Sequence, residues 1–348
     1  RIYPDGYVYA GDSTADLQVW TNAAGAIFAG TSSRNRKKVR DMGIPIEAEF
    51  DNLYGNARAW IKALRFHQWA KNVLIFVALF LSGQFVDLEN WIAPIVAFLL
   101  LGIVASGTYI INDLADLNAD RRHRTKHRRP FASGRLNPLH GLAVAILLVP
   151  GALFAGLILS PLFGFGLLAY LVITLSYSFG LKRVAMLDVF IIASLFTVRV
   201  ILGAFAIEAV LSEWLLTFSM FFFLSLSFAK RHVEVSANPT GEIKGRGYRG
   251  EDAPLTLVFG IGSGTAASLI LVLYLVEDAF PSGLYALPEA LWSAPILIML
   301  WIMRIWLLAH RGDLDDDPVY FAVKDRISLW LGVTLVAGFI LSLLPISA

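Results

Sequence analysis

Long apolar stretches recur through most of the chain, and they constrain the fold more than any other feature. Hydrophobic residues make up 57% of the 348 residues and charged residues only 16%, which is more apolar surface than a water-soluble fold of this size can bury. A helix needs about 20 apolar residues to cross a bilayer. Read with that window, the sequence predicts nine spans, at residues 73–86, 92–111, 140–159, 162–180, 184–207, 213–229, 255–275, 291–309 and 327–346. We therefore expect an all-α polytopic membrane protein, a bundle of nine transmembrane helices.

The loops between these spans differ in charge. Those that follow even-numbered spans are rich in Lys and Arg, whereas the opposite loops carry Asp and Glu and no Lys or Arg. The positive-inside rule then predicts an inner (plasma) membrane protein whose N-terminus and basic loops are cytoplasmic. The formal net charge of +2 indicates no particular partner, and we expect membrane lipids but no nucleic acid. The absence of cysteine excludes disulfides, thiolate metal sites and cysteine nucleophiles.

Residues 1–55 follow another pattern. The stretch YVYAGDSTADLQVWTNAAGAIFAG begins like a strand, turns at Gly11-Asp12 and continues as a helix, which predicts a fragment of a soluble α/β unit. The stretch SRNRKKVRD after it reads as a basic linker suited to anionic headgroups. We expect residues 1–55 to form this fragment and linker, and residues 56–348 to form the membrane domain.

An amphipathic helix is predicted where the chain approaches the first span. The stretch ARAWIKALRFHQWAKN places Trp60 and Trp69 at positions suited to the membrane interface. Lys62, Arg65 and Lys71 would then face phosphate groups.

Acidic residues stand directly after the second predicted span, in NDLADLNADRRHRTKHRRP. Asn112, Asp116 and Asp120 are spaced i, i+4, i+8, so a helix would stack them on one face, with Asp113 beside them. Carboxylates packed in this way repel each other unless a cation lies between them, and oxygen ligands of this kind suit Mg²⁺ held together with substrate phosphates. We therefore expect these four residues to form a magnesium site.

Basic residues follow the aspartates and recur at the same predicted side of the membrane. Lys126 and Arg129 are donors matched to phosphate oxygens, although a solvated loop that obeys the positive-inside rule is the simpler explanation for the arginines. An arginine inside a span is costly and faces a cavity or a partner, which makes Arg199 a candidate. Further candidate substrate-binding residues, some of which could instead be anchoring charges, are Lys71, Tyr177, Lys182, Asp188, Lys230 and Arg231.

The motif NDLADLNAD after a second span, within a nine-span pattern over residues 60–348, resembles the UbiA superfamily of intramembrane prenyltransferases. The resemblance implies a transferase that binds Mg²⁺ and the diphosphate of an activated donor through Asn112, Asp113, Asp116 and Asp120. Asp113 and Asp116 would then be catalytic.

The sequence departs from the prenyl-transferring members, because AKRHVEVSANPTGEIKGRGYRGED offers KRHVE where they carry a second aspartate-rich motif. It is instead similar to the decaprenyl-phosphate phosphoribosyltransferase branch. This likeness implies 5-phosphoribosyl transfer from phosphoribosyl diphosphate to a lipid-linked polyprenyl phosphate, with Asp188 catalytic. The residues that would surround the ribose phosphates are Lys126, Arg129, Tyr177, Lys182, Asp188 and Lys230. A prenyltransferase acting on an aromatic or quinone-precursor acceptor is the alternative, and a transporter or lipid-binding scaffold is a third possibility.

The N-terminal GDSTAD resembles the end of a haloacid dehalogenase-type phosphatase domain. That likeness implies that Asp12 and Asp16 help to hold Mg²⁺. Such domains also need a D-x-D nucleophile motif, which these residues lack, so this segment is not expected to be a phosphatase. GDSTAD could also be only a turn and helix cap.

Overall fold

The computed structural model describes residues 6–50, 57–239, 241–243, 245–314 and 318–344. The chain divides into two compact units, the first formed by residues 1–64 and 109–144 and the second by residues 65–108 and 145–348. The ends of the predicted fragment 1–55 and of the predicted span 327–346 lie outside the described residues.

The first unit begins with a small α/β structure. Its three strands are parallel, in the order β1-β2-β3. Trp20 and Phe28 form its core, both fully buried, with their rings edge to face at 5.7 Å. The elements are β1 Val8–Gly11, α1 Leu17–Trp20, β2 Gly25–Ala29, α2 Ser33–Asp41, β3 Ile46–Phe50 and α3 Ala57–Leu64.

The predicted basic linker is a helix, α2. The hydroxyl of Ser32 caps it by accepting a hydrogen bond from Asn35 N at 3.3 Å, and Val39 is fully buried in the core. Arg36 and Arg40 both pair with Glu49 of β3. The basic side chains hid this helix from sequence reading, because one apolar residue in nine gives almost no periodic signal.

The chain is almost entirely helical from residue 66 onward. The helices are α4 Phe76–Leu81, α5 Ile92–Ala115, α6 Leu117–Arg122, α7 Pro138–Leu159, α8 Pro161–Phe179, α9 Leu187–Ala206, α10 Glu213–Ser236, α11 Ala253–Tyr274, α12 Ser293–Arg311, α13 Pro318–Lys324 and α14 Arg326–Leu343.

Seven helical segments among the described residues are long and apolar enough to cross a membrane. They are Leu88–Ala115, Pro138–Leu159, Pro161–Phe179, Leu187–Ala206, Gly250–Ala279, Pro288–Arg311 and Arg326–Leu343. The prediction of a mostly helical protein with several membrane-spanning helices is thereby confirmed. The other two predicted spans correspond to the shorter apolar segment Phe66–Leu81 and to α10, whose serines and charged last turns lower its hydropathy.

The predicted approach helix is interrupted. Its first part is α3, and Arg65 then adopts a left-handed backbone conformation with φ of 52°. The chain continues as a 3-10 helix over Phe66–Ile75. This segment packs tightly on α9, because a Cβ atom at Gly203 would lie 2.0 Å from the carbonyl oxygen of Ile75. Only glycine permits that approach.

Aromatic and aliphatic side chains fill the second unit. The rings of Phe196 and Phe223 stack at 4.7 Å between α9 and α10. Gly260 of α11 lets Trp306 of α12 approach closely, and the indole of Trp306 donates to Ser225 of α10 at 3.0 Å. These contacts hold α9, α10, α11 and α12 together through their middle turns.

Candidate active site

The aspartates lie in the last turn of α5, at Asp116 and in α6, all within the first unit. Asp116 interrupts the helix, with φ of −89° and ψ of 6°. The backbone nevertheless keeps a four-residue hydrogen-bond spacing, from Asp116 N to Asn112 O at 3.0 Å and from Asp120 N to Asp116 O at 2.8 Å. The predicted spacing therefore forms, although on two helices joined at Asp116 rather than on one.

One arginine joins two of the carboxylates. Asp113 and Asp120 are buried, 3% and 2% exposed. Both accept hydrogen bonds from the same nitrogen of Arg129, Nη1, at 3.0 Å and 2.7 Å. The guanidinium thus offsets one of the two negative charges and reduces the repulsion between the carboxylates. We call Asn112, Asp113, Asp116, Asp120 and Arg129 the aspartate cluster.

The remaining members of this cluster have fewer polar contacts with the protein. Asp116 and Asn112 are both half-buried, and neither side chain has a polar partner among the described residues. Those residues contain no group of three or more His, Asp or Glu side chains arranged around a metal. Mg²⁺ usually takes only one or two carboxylates and completes its shell with water and substrate phosphates. The oxygen donors of Asp116, Asn112 and Asp113 therefore fit Mg²⁺, whereas Asp120 chiefly holds Arg129.

The basic turn after the aspartates is exposed. Lys126 lies in the 3-10 turn Lys126–Arg128, and its backbone nitrogen donates to Nδ1 of His123. Lys62 of α3 donates to the carbonyl oxygen of Arg128 at 3.3 Å. Phe131 is buried after this turn and meets Trp60 edge to face at 6.4 Å. An anchored backbone with exposed Lys and Arg side chains suits phosphate binding.

A second group of charged residues lies in the second unit and is entirely buried. Asp188, in the first turn of α9, and Arg231, near the end of α10, are each 0% exposed. Oδ2 of Asp188 lies 2.6 Å from Nη2 of Arg231. Arg231 also pairs with Glu234, and Oδ1 of Asp188 accepts from the hydroxyl of Tyr248 at 2.7 Å. We call Asp188, Arg231, Glu234 and Tyr248 the buried ion-pair cluster.

Tyr248 reaches this cluster from the loop between α10 and α11. Gly247 before it has φ of 69°, and its Cβ position would lie 2.3 Å from the carbonyl oxygen of Arg183, so glycine is required. The Tyr248 hydroxyl accepts a hydrogen bond from Met186 N at 2.7 Å. Burial, and then the hydrogen bond to Asp188, raise the pKa of Tyr248 above its ordinary value.

Oδ1 of Asp188 therefore has a hydrogen-bond donor and Oδ2 an ion-pair partner, but Oδ2 forms no hydrogen bond among the described residues, nor do Nε and Nη2 of Arg231. The contact of Asp188 with substrate stays a prediction. Tyr177 is also engaged, since its hydroxyl accepts from Nη1 of Arg246 at 2.6 Å. Lys182 is half-buried in the 3-10 turn Leu181–Arg183, and Lys230 is half-buried in α10. The structure thus unites Asp188 with Arg231 and gives Tyr177 a partner in the loop before Tyr248.

The predicted intramembrane arginine is buried in α9. Nε of Arg199 donates to Oδ1 of Asn72 at 3.2 Å, and Nη2 donates to the hydroxyl of Tyr170 at 2.9 Å. Lys71 lies with its Nζ 5.8 Å from the ring centroid of Phe196. We call Arg199, Asn72 and Tyr170 the Arg199 cluster.

Sequence reasoning missed Tyr248, Arg246, Asn72 and Tyr170. The glycines of GRGYRG, which lie on both sides of Tyr248, indicated a constrained loop but not the contact of this tyrosine with Asp188. Asn72 was visible as an amide at the start of an apolar stretch, a position where a polar side chain needs a partner. Tyr170 gave no signal, because an aromatic residue in a span is ordinary.

The N-terminal GDSTAD forms a compact turn. Oδ2 of Asp16 accepts from the backbone nitrogens of Asp12 and Ser13 at 2.9 Å and 2.8 Å, and also from the Ser13 hydroxyl. Oδ1 accepts from Tyr9. The backbone N–H and then the hydroxyl of Ser13 lower the pKa of Asp16 to about 2. These bonds account for the motif as a turn, and its role as a metal site stays a prediction.

Comparison with known proteins identifies the architecture. The model of the UbiA prenyltransferase family matches residues 72–332, which is most of the chain. The chain belongs to the UbiA prenyltransferase family. It is therefore a UbiA-family transferase and a multi-pass membrane protein, as the sequence predicted.

Two relatives and one solved structure illustrate the likeness. The uncharacterized protein y4nM of Sinorhizobium fredii is 41% identical over 344 residues, 98% of this chain and 67% of that protein. The decaprenyl-phosphate phosphoribosyltransferase of Mycobacterium tuberculosis is 29% identical over 283 residues, 80% of this chain and 91% of that protein. A UbiA homolog from Archaeoglobus fulgidus, solved with DMAPP and Mg²⁺, has a TM-score of 0.60 at 14% identity and covers 82% of this chain and 100% of its own. That structure supports the fold.

Proposed function

We propose that this UbiA-family transferase moves a 5-phosphoribosyl group from phosphoribosyl diphosphate to a polyprenyl phosphate, with Mg²⁺ as cofactor. The likeness to the mycobacterial phosphoribosyltransferase supports this choice. One structural observation also supports it: a buried cation lies in KRHVE, the stretch where the second aspartate-rich motif is expected.

That cation is Arg231. The prenyl-transferring branch is expected to carry carboxylates after the sixth span, and the only acidic side chain of KRHVE is Glu234. Arg231 pairs with it and with the neighbouring Asp188. One buried guanidinium offsets one of the two negative charges of Asp188 and Glu234 and lies where a second metal ion would have to bind them. The arrangement therefore favours a donor that needs one metal site and additional cations, as phosphoribosyl diphosphate does with its extra 5-phosphate.

The aspartate cluster is the proposed diphosphate site. Asp116, Asn112 and Asp113 would hold Mg²⁺, which would neutralise charge on the departing diphosphate. Arg129 and Lys126 would bind its oxygens. Tyr177, Lys182 and Lys230 are assigned to the other substrate phosphates by resemblance, and Lys71 and Arg199 by their positions in the sequence. Asp188 and Arg231 position the loop that carries Tyr248.

The reaction breaks the bond between the anomeric carbon and the diphosphate, which leaves with the electron pair. An oxygen of the acceptor phosphate forms the new bond to that carbon, which has oxocarbenium character in between. The acceptor oxygen is already anionic, so no general base is needed. Stabilising charge where it develops, on the leaving diphosphate, is the main catalytic contribution expected of Arg129 and Lys126.

The proposal includes a topology of nine spans with the aspartate cluster on the cytoplasmic side. The seven long segments, together with Phe66–Leu81 and α10, give nine, and the basic loops would then all lie on one side. Single cysteines placed at Arg124 and at Ser282 test this in cells, because the native chain has none. A membrane-impermeant thiol reagent should label the second from outside and not the first. Equal labelling of both would contradict the topology.

A two-acceptor assay tests the function. Purified protein in detergent with Mg²⁺ receives phosphoribosyl diphosphate and a polyprenyl phosphate in one reaction, and a polyprenyl diphosphate and 4-hydroxybenzoate in another. We expect a phosphoribosylated lipid in the first reaction only. Product in the second reaction alone would establish the alternative, a prenyltransferase for aromatic acceptors.

A further inference from the structure

The second unit contains a buried cation whose protein contacts are all to uncharged groups. Arg199 is 7% exposed within α9. Its three nitrogens donate to the amide oxygen of Asn72, the hydroxyl of Tyr170 and the carbonyl oxygen of Leu195. None of the carboxylates in the described part of the chain forms an ion pair with it. A charge inside a membrane span without a counter-charge is costly, so an anion would complete this cluster.

The Arg199 cluster also has hydrogen-bond donors to spare. A guanidinium has five N–H groups, and each of its two terminal nitrogens uses only one of its two hydrogens in these contacts. Asn72 is 1% exposed, and its Nδ2 has no hydrogen-bond partner among the described residues. A buried donor left without an acceptor costs about 1–3 kcal/mol. Unused N–H groups on two side chains that already touch each other suit an oxyanion with several oxygens.

A second cation, Lys71, adds positive charge next to the Arg199 cluster. The Nζ of Lys71 and the guanidinium carbon of Arg199 lie 5.8 Å and 5.3 Å from the same ring centroid, that of Phe196. Lys71 is also the chain neighbour of Asn72. Two cations therefore lie at one aromatic ring, and one of them holds the amide. This local charge favours a phosphate over a carboxylate because a phosphate monoester carries close to two negative charges.

An apolar groove begins beside these residues. Its volume is about 370 Å³, and its lining includes Leu74, two residues after Asn72, and Val200, directly after Arg199. Phe223, which stacks on Phe196, lines the groove as well. Arg199, Asn72 and Lys71 do not line the groove themselves, and the stacked rings of Phe196 and Phe223 connect it to the two cations. A positive cluster next to an apolar groove matches an amphipathic ligand with a phosphate head and a hydrocarbon chain.

We infer that Arg199, Asn72 and Lys71 bind the phosphate of the acceptor lipid, with the first isoprene units of its chain in this groove. The inference rests on the proposed function, which supplies the acceptor. A phosphate of the soluble donor would offer the same oxygens, but it would leave the groove empty. The adjoining groove therefore assigns the site to the lipid.

Asn72→Asp tests the assignment. The carboxylate would keep the contact with Nε of Arg199 and supply the missing counter-charge inside the protein, so the fold should be at least as stable as wild type. It would also repel a phosphate. We expect about tenfold weaker binding of polyprenyl phosphate, measured by thermal shift in detergent, with unchanged binding of the uncharged polyprenol of equal length. The matched control is Asn90→Asp, the same change in the turn Leu88–Trp91, which should bind both lipids as wild type does.

Three results decide the outcome. Wild-type binding of polyprenyl phosphate by Asn72→Asp would overturn the inference, because Arg199 would then be only a structural cation. A loss of affinity for phosphoribosyl diphosphate, with lipid binding intact, would overturn it in favour of the donor. The third measurement compares lipid binding by Asp116→Ala, whose turnover should be strongly reduced, with binding by the double variant Asp116→Ala, Asn72→Asp. Lipid binding that depends on Asn72 in this pair supports the site even if phosphoribosyl transfer is never observed, which separates this inference from the proposed function.

Discussion

The aspartate cluster and the buried ion-pair cluster use the same chemistry, carboxylates held by one arginine, yet they differ in exposure. The side chain of Arg129 is 24% exposed, and it contacts two carboxylates that are each 3% exposed. The side chains of Arg231 and Asp188 are both 0% exposed. Water or a ligand can therefore reach the first arginine while it holds its two buried carboxylates, whereas the second is sealed together with its partner.

This difference suggests that the aspartate cluster takes part in catalysis, whereas the buried ion-pair cluster stabilises the fold. Asp116 and Asn112 have no polar partner among the described residues, so the aspartate cluster can accept a metal ion and a diphosphate. In the buried ion-pair cluster, Oδ1 of Asp188 accepts from Tyr248 and Oδ2 is ion-paired with Arg231 without forming a hydrogen bond among the described residues. Both side chains are 0% exposed, so a ligand reaches this cluster less readily than the aspartate cluster. Substitutions in the first should reduce turnover, and substitutions in the second should reduce stability.

The largest effect should come from Arg231→Ala. It leaves Asp188 buried without its counter-charge, and breaking a buried pair costs about 3–5 kcal/mol. Thermal unfolding in detergent should show a marked loss of stability. Arg129→Ala is the control at the more exposed arginine and should cost clearly less, because water can enter the space of a side chain that is 24% exposed and solvate Asp113 and Asp120. Equal losses in both variants would remove the distinction between the clusters.

Asp116→Ala should have the next largest effect, on turnover. Loss of one group that stabilises charge in the transition state reduces the rate about 10²–10³-fold, equivalent to about 2.7–4 kcal/mol. The unfolding temperature should stay at the wild-type value, because Asp116 has no polar protein partner to lose. Initial rates at saturating Mg²⁺ measure the effect. A variant with normal rates would show that Asp116 does not hold the metal.

Tyr248→Phe should have a smaller effect, and on stability. The substitution leaves Oδ1 of Asp188 without its donor, which costs about 1–3 kcal/mol, while the ring keeps its place over Arg231. Unfolding in the presence of denaturant measures the change. If the loop only covered the cluster and the hydroxyl contributed nothing, the variant would unfold like wild type.

The smallest effect should be seen at alkaline pH. Because the folded-state pKa of Tyr248 lies above its ordinary value of 10.0, its contribution to stability is complete below pH 10 and declines as pH rises from there towards the folded-state pKa. Wild type should lose stability over this alkaline range to a greater extent than Tyr248→Phe. Parallel curves for the two proteins from pH 8 to pH 11 would contradict a buried, neutral Tyr248.

The sequence predicted the features that depend on local pattern. Apolar runs of sufficient length predicted a helical membrane protein, and the NDLADLNAD motif predicted the family. The four-residue spacing of Asn112, Asp116 and Asp120 predicted a repeat that the backbone keeps despite the interruption at Asp116.

What the sequence did not predict depends on contacts between distant residues. Asp188 and Tyr248 are sixty residues apart. No local pattern indicates that the tyrosine donates a hydrogen bond to this carboxylate, which was expected to face substrate. Arg199 and Asn72 are separated by 127 residues. The helix α2 was missed although it is local, because a single buried apolar residue, Val39, produces no detectable helical periodicity in the sequence. The nine-span count and the positions of the substrates stay predictions.

Magnesium-dependent diphosphate binding tests the central claim most directly. Binding of inorganic diphosphate to the purified protein is measured by calorimetry with Mg²⁺ and with EDTA, for wild type and for Asp116→Asn, which keeps the size of the side chain and removes its charge. The account predicts binding to wild type only when Mg²⁺ is present, and strongly weakened binding to Asp116→Asn. Equal binding by both proteins, with or without the metal, would contradict a metal–diphosphate site at the aspartate cluster.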